Sequence, residues 1–173
     1  MGDEIWLEYV RRQERFEAHR KTHTVPLIYD EDMRHENPTV WPRFEALEPS
    51  IQPFMDLIRE ANSDRVTPGR DPYFIRAILT MLAPKSAILP HRDKGYSLFR
   101  SHRYHIALKT NEKVDFGINQ KVQHFAAGEI WEINNRAFHA VRNMSDEPRT
   151  HLILDYVVPG EQIDDPDAGR ITA

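Results

Sequence analysis

Apolar and polar positions follow one another along this chain in two rhythms, and the change falls near Pro72. From Ile5 to about Arg20, the positions Ile5, Trp6, Tyr9, Val10 and Phe16 recur at mixed spacings of three and four among Glu and Arg, as an amphipathic helix requires. A second stripe, Ile51, Phe54, Leu57 and Ile58, predicts a helix from about Pro42 to Ala61, closed by the turn-prone run ANSDRVTPGRDP. The part up to residue 70 therefore reads as helix plus loop. After Pro72 come eight short runs rich in β-branched and aromatic residues, separated by Pro, Gly, Asn and Asp: YFIRAILTML, AILPHRD, RYHIALKT, VDFGIN, KVQHFA, EIWEIN, HAVRNMS and THLILDYVV. Eight short strands predict two packed antiparallel sheets, a jelly roll or related barrel, over residues 72–159. The fold class expected is α+β, mainly β, with residues 160–173 as a surface tail.

Length and composition narrow this only a little. A chain of 173 residues supports one domain over 1–173. The formal charge of -4 gives no global basic field, so no nucleic-acid partner is expected. The absence of cysteine removes disulfides, thiolate ligands and cysteine nucleophiles, so any metal must use N and O donors. The start, MGDEIWLEYVRRQERF, lacks the apolar core of a signal peptide, and no run approaches a membrane span. A cytoplasmic protein with no membrane partner is the expectation.

The chemistry concentrates in the strand region. His91 and Asp93, two apart on a strand, project from one face and can chelate a single ion. An Asp at a strand end is equally at home in a turn. His139 heads a later strand, after enough chain for a sandwich to return to the same end. Two imidazoles and one carboxylate leave three adjacent positions open, as in non-heme Fe(II) oxygenases, whereas catalytic Zn normally keeps one; spacing does not choose between the metals.

An anionic cosubstrate with carboxylates at both ends calls for fixed guanidinium partners. Arg103 and Arg149 each open a strand, in the parallel patterns Arg103-Tyr-His105 and Arg149-Thr-His151. Taken alone, the alternation favours strands whose Arg and His face water, and only a barrel with a polar interior would turn them inward. The loop after Asp93 supplies Tyr96, Ser97 and Arg100 as candidate substrate contacts at the mouth. His19, His23, His35, His102 and His124 lack partner spacing and read as surface or satisfied core residues.

In order, LPHRD, RYHIAL, GEIWEINNRAFHAVRN and EPRTHLILDYV resemble the aspartyl/asparaginyl β-hydroxylase family of Fe(II)/2-oxoglutarate-dependent dioxygenases, near the bacterial proline hydroxylases. The resemblance covers roughly residues 74–159. It implies a double-stranded β-helix core of the jelly-roll, cupin-like kind, and Fe(II) held by His91, Asp93 and His139, with 2-oxoglutarate and O2 as cosubstrates. It also implies Arg149 on the distal carboxylate of 2-oxoglutarate, with Arg103 and His105 as further cosubstrate contacts. Asn134 and Asn135 stand where the family commonly has an acidic pair, a departure from its pattern at a position where Asn135 is a candidate substrate contact. The implied activity is hydroxylation of an unactivated C–H bond in a small-molecule amino acid or a peptidyl Asp/Asn residue, with release of succinate and CO2. The alternative is a cupin-like metal- or small-molecule-binding jelly roll without oxygenase activity.

Overall fold

All eight expected runs become strands, and two further strands precede them. The computed structural model describes residues 3–31 and 38–161; His35 and most of the expected tail lie outside them. In chain order the strands are β1 (Thr22–Tyr29), β2 (Thr39–Val40), β3 (Tyr73–Leu82), β4 (Ser86–His91), β5 (Ser101–Lys109), β6 (Val114–Ile118), β7 (Lys121–Gln123), β8 (Ile130–Ile133), β9 (His139–Asn143) and β10 (Arg149–Val157). The helices are α1 (Arg11–Arg15), α2 (Pro42–Ala61) and α3 (Tyr96–Phe99).

The strands form a six-stranded sheet in the order β2-β1-β3-β10-β5-β8 and a four-stranded sheet in the order β4-β9-β6-β7. Every recorded pairing is antiparallel. With strands from both halves of the β region alternating between two facing sheets, this is a double-stranded β-helix. Among the described residues, no helix is long and apolar enough to cross a membrane.

Three expectations for the first part of the chain need correction. The stretch from Ile5 to Arg20 is not one helix but two short 3-10 turns, Asp3–Leu7 and Glu17–His19, flanking the five-residue α1. So short a helix has little intrinsic stability, and the segment is held to the barrel by its flanking residues, Trp6 and Tyr9 packing on the core. Residues 22–29, expected as loop or helix, form β1 and extend the larger sheet beside β3. Pro26 lacks a ladder donor, and the register shift between Pro26 and Ile28 accommodates it.

The helix α2 forms over the expected residues, but its buried stripe is Ile51, Met55 and Ile58, while Leu57 is 52% exposed. Pro49 and Pro53 fall on exposed positions inside it, so the carbonyls they leave without donors can reach water. The buried stripe packs on Val25, Leu27, Phe74, Leu79, Tyr104, Ile106, Leu152 and Leu154 of the larger sheet. At its end, Asn62 Nδ2 donates to the Ile58 carbonyl and the Tyr104 hydroxyl, at 2.7 and 2.8 Å, tying the helix to β5.

A second core, with Leu82, Ile88, Ala107, Val114, Phe116, Phe125, Ile133 and Val141, fills the space between the sheets. Here the expectation that Arg103, His105, Arg149 and His151 face water fails. All four are buried. The α2 face of β5 and β10 is covered as well, so these strands have no solvent side; inside, Arg103 is matched by Asp93 and Asp155, whereas Arg149 is not.

Candidate metal centre

Strands β4 and β9 place His91 directly opposite His139, with ring centroids 4.3 Å apart. One device fixes both tautomers: Nδ1 of His91 donates to the Leu89 carbonyl at 2.8 Å, and Nδ1 of His139 to the Ala137 carbonyl at 3.0 Å. Each Nε2 is left as a lone-pair donor, the form a metal needs. Burial pushes the His139 pKa down, which outweighs the opposing pull of Asp93 and keeps this ring neutral.

Asp93 follows the end of β4, and its backbone N–H bonds the Asn135 carbonyl at 3.0 Å in the turn leading to β9. Its two carboxylate oxygens lie 3.8 Å from His91 Nε2 and 3.8 Å from His139 Nε2. The three donor groups converge within 4.8 Å. Ligands bound at about 2.1 Å and near-tetrahedral or right angles stand about 3–3.5 Å apart, so modest inward rotation closes this set on one ion. The residues fit a divalent metal with adjacent positions open.

Behind Asp93 runs a buried ionic chain. Arg103 Nη1 bonds Asp93, while its Nε and Nη2 grip both oxygens of Asp155 at 2.7 Å each. Arg76 joins Asp155, at 3.1 Å, to Asp30, and Asp30 accepts the Ser97 hydroxyl. Burial alone would raise the Asp93 pKa, but the Arg103 guanidinium outweighs it and holds the carboxylate ionised. Burial would lower that of Arg103, but Asp155 and Asp93 drive it up. The structure thus gives Arg103 a direct hold on the candidate ligand Asp93.

Arg149 differs. It is 2% exposed, its Nη2 donates to His151 Nδ1 at 2.7 Å, and its Nε has no partner. No carboxylate among the described residues lies within ion-pair distance, and burial, with Arg12 as a second like charge, pushes its pKa down to about 9. It remains cationic near neutrality. The guanidinium carbon sits 6.0 Å from the Phe116 ring centroid, and the His139 ring centroid is 6.4 Å from the same point. Arg149 and the candidate metal centre therefore border one phenyl ring. His105 packs edge-on against that ring, and its Nδ1 is 3.4 Å from Nδ1 of His151. His151 Nε2 is also buried without a partner.

A cavity of about 280 Å³ opens onto His91, Asp93 and Arg103. Its other walls include Arg12, Phe16, His19, Tyr29, Arg76, Ile78 and Leu98. Tyr96, Ser97, Arg100 and Asn135 do not line it. Arg100 lies over the exposed Tyr96 ring at 4.7 Å, Ser97 is committed to Asp30, and Asn135 Nδ2 bonds the Leu98 carbonyl at 2.9 Å.

Sequence reasoning missed Arg12, His19, Arg76 and Asp155. Asp155 lies in phase with Arg149 and His151 on β10, and Arg76 interrupts an apolar run, so both left a trace. Arg12 and His19 left none.

A double-stranded β-helix carrying a His-Asp-His donor set that could hold a metal ion defines a jelly-roll barrel of the cupin kind. The model of the aspartyl/asparaginyl beta-hydroxylase family matches residues 57–159, more than half of the chain, and the chain belongs to that oxygenase-type hydroxylase family. Among solved structures it is similar to an oxidoreductase of the 2OG-Fe(II) oxygenase family from Burkholderia pseudomallei, at 16% identity and TM-score 0.60 over 80% of this chain and 69% of that one. At this identity the likeness shows the fold. Weaker likenesses are to a predicted oxalate decarboxylase from Thermotoga maritima (15% identity, TM-score 0.40, 57% and 73% of the two chains) and a Cupin 2 barrel protein from Salinispora arenicola (13%, 0.37, 52% and 77%).

Proposed function

We propose that this protein is an Fe(II)- and 2-oxoglutarate-dependent dioxygenase that hydroxylates an unactivated C–H bond of an amino acid or of a peptidyl Asp/Asn residue, yielding succinate and CO2. Arg149 is the observation that carries this reading. A buried guanidinium with no carboxylate partner among the described residues, bordering the same ring as a candidate metal ligand, costs several kcal/mol unless an anion completes it. The distal carboxylate of 2-oxoglutarate fits that need. A metal-binding barrel without a dicarboxylate cosubstrate leaves the buried charge unexplained.

His91, Asp93 and His139 would hold the iron, which, with its cosubstrate and dioxygen, supplies the oxidising power. The protein's own residues orient and exclude water. The carbonyls of Leu89 and Ala137 hold the Nδ1–H of each ring and so turn Nε2 toward the shared site, and Arg103 steadies the carboxylate ligand. Arg149 and His105 form the inner wall for the cosubstrate. Succinate formation from 2-oxoglutarate, with Fe(II) and ascorbate, against free amino acids and Asp/Asn peptides tests the reading. Substrate-dependent turnover is expected, abolished by His91→Ala and by Arg149→Ala. Turnover surviving either change would reject the assigned roles.

A further inference from the structure

Resting on that reading, the geometry points to Arg12 as the anchor for a carboxylate of a small substrate, in a recognition wall built by the segment Arg11–His19. This segment lies outside the family-matched residues 57–159, yet it supplies Arg12, Arg15, Phe16, Glu17, Ala18 and His19 to the cavity beside the metal site.

Besides Arg15, Arg92 and Lys94, three further cations line this cavity, Arg12, Arg76 and Arg103, and these three differ in their partners. Arg76 and Arg103 are already matched by Asp30, Asp93 and Asp155. Arg12 has only neutral partners among the described residues: the Thr24 hydroxyl at 3.5 Å and His19 Nε2 at 3.3 Å. A guanidinium can only donate, so His19 Nε2 accepts and its proton sits on Nδ1. That Nδ1 is buried and without a partner. The wall therefore holds an unmatched positive charge and a second unmatched donor. His19 also packs edge-on against the metal-ligand candidate His91, centroids 4.8 Å apart, so Arg12 stands two contacts from the metal centre.

Size and lining restrict the ligand further. About 280 Å³ falls at the low edge of the roughly 300–1,000 Å³ of small-molecule pockets, which suits a compound of amino-acid size. Phe16, Ala18, Ile78 and Leu98 provide an apolar flank for the carbon skeleton to be oxidised. The planar guanidinium of Arg12 offers two parallel donors, a geometric match for a carboxylate.

The test uses the full chain loaded with Mn(II) and 2-oxoglutarate, and reads the paramagnetic broadening of NMR signals from free L-amino acids, their methyl esters, and Asp- and Asn-containing peptides with blocked termini. The expected result is broadening for at least one free amino acid, at least tenfold weaker binding of its ester, and a similar loss in Arg12→Gln, with partial retention in Arg12→Lys. The Kd for 2-oxoglutarate should be unchanged in both variants, and a retained thermal transition shows that they fold. Equal binding by Arg12→Gln, equal binding of acid and ester, selection of blocked peptides alone, or no amino-acid binding to the wild type would each overturn the assignment. Failure of 2-oxoglutarate to bind the wild type would instead overturn the dioxygenase reading beneath it.

Discussion

Arg103 shows how one side chain connects folding to the metal site. Its three nitrogens bond two carboxylates, and both Asp93 and Asp155 are buried beside it. Removing one partner of a buried ion pair costs about 3–5 kcal/mol, because the other charge is left uncompensated. Groups that orient a metal ligand contribute roughly 10–100-fold to metal affinity. Arg103→Gln should therefore lower the denaturation midpoint and weaken Mn(II) binding together, and Arg103→Lys should rescue little, since a single ammonium cannot span both carboxylates. Mn(II) titration with parallel thermal melts checks this; unchanged affinity in a folded variant would remove Arg103 from the site. At this level the sequence exposes His91 and Asp93 through their shared strand face. It exposes the charge of Arg103 but not its partners, because a pairing with Asp155 depends on the register of β5 against β10. Arg12 is harder still: a basic residue on a short amphipathic segment looks the same whether it meets water or a cavity.

The elements differ in how plainly their sequences declare them. Alternating β-branched runs bounded by turn residues give the eight strands from β3 onward, since local pattern and tertiary burial agree there. β1 is hidden because Pro26 argues against a strand, and only the irregular pairing with β3 tolerates it. The helix α2 is legible in extent but not in phase. Apolar spacing admitted the exposed Leu57 to its stripe and passed over Met55, whereas the sheet beneath it receives Ile51, Met55 and Ile58, with Phe54 packed beside them. Truncation separates the two phases. Met55→Ala should cost about 2–5 kcal/mol, as a core deletion that leaves a cavity, while Leu57→Ala should stay within about 0.5 kcal/mol, as for other surface changes. Urea denaturation of both variants measures the difference, and equal costs would contradict the observed face.

Across the whole molecule, the histidines predict an asymmetric response to pH. Burial drives the pKa values of His105 and His151 well below the ordinary histidine value, reinforced at His105 by His151 and Arg149 and at His151 by Arg149. Both rings stay neutral in the folded protein while the unfolded chain takes up protons near pH 6.5. Their contribution is complete above that value and is lost as pH falls from it toward the depressed folded values, by about 1.4 kcal/mol per pH unit for each ring. His102 acts in the opposite sense. Hydrogen bonds from its two ring nitrogens to Glu132 (2.7 Å) and Glu161 (2.6 Å) raise its pKa against the effect of burial. It links β5 to β8 and to the segment after β10 most strongly below pH 6.5, and that linkage weakens as pH rises through its raised value. Stability measured by urea denaturation in the presence of a chelator should therefore fall steeply between pH 6.5 and 5, well before the carboxylates titrate. His151→Leu should remove one ring's share of that acid slope, which His19, His105 and His139, also lowered by burial, carry with it, and His102→Gln should leave the slope intact while removing the gentler loss on the alkaline side. A profile flat from pH 7 to 5 would mean that water reaches these rings and that the polar interior between the sheets is not closed.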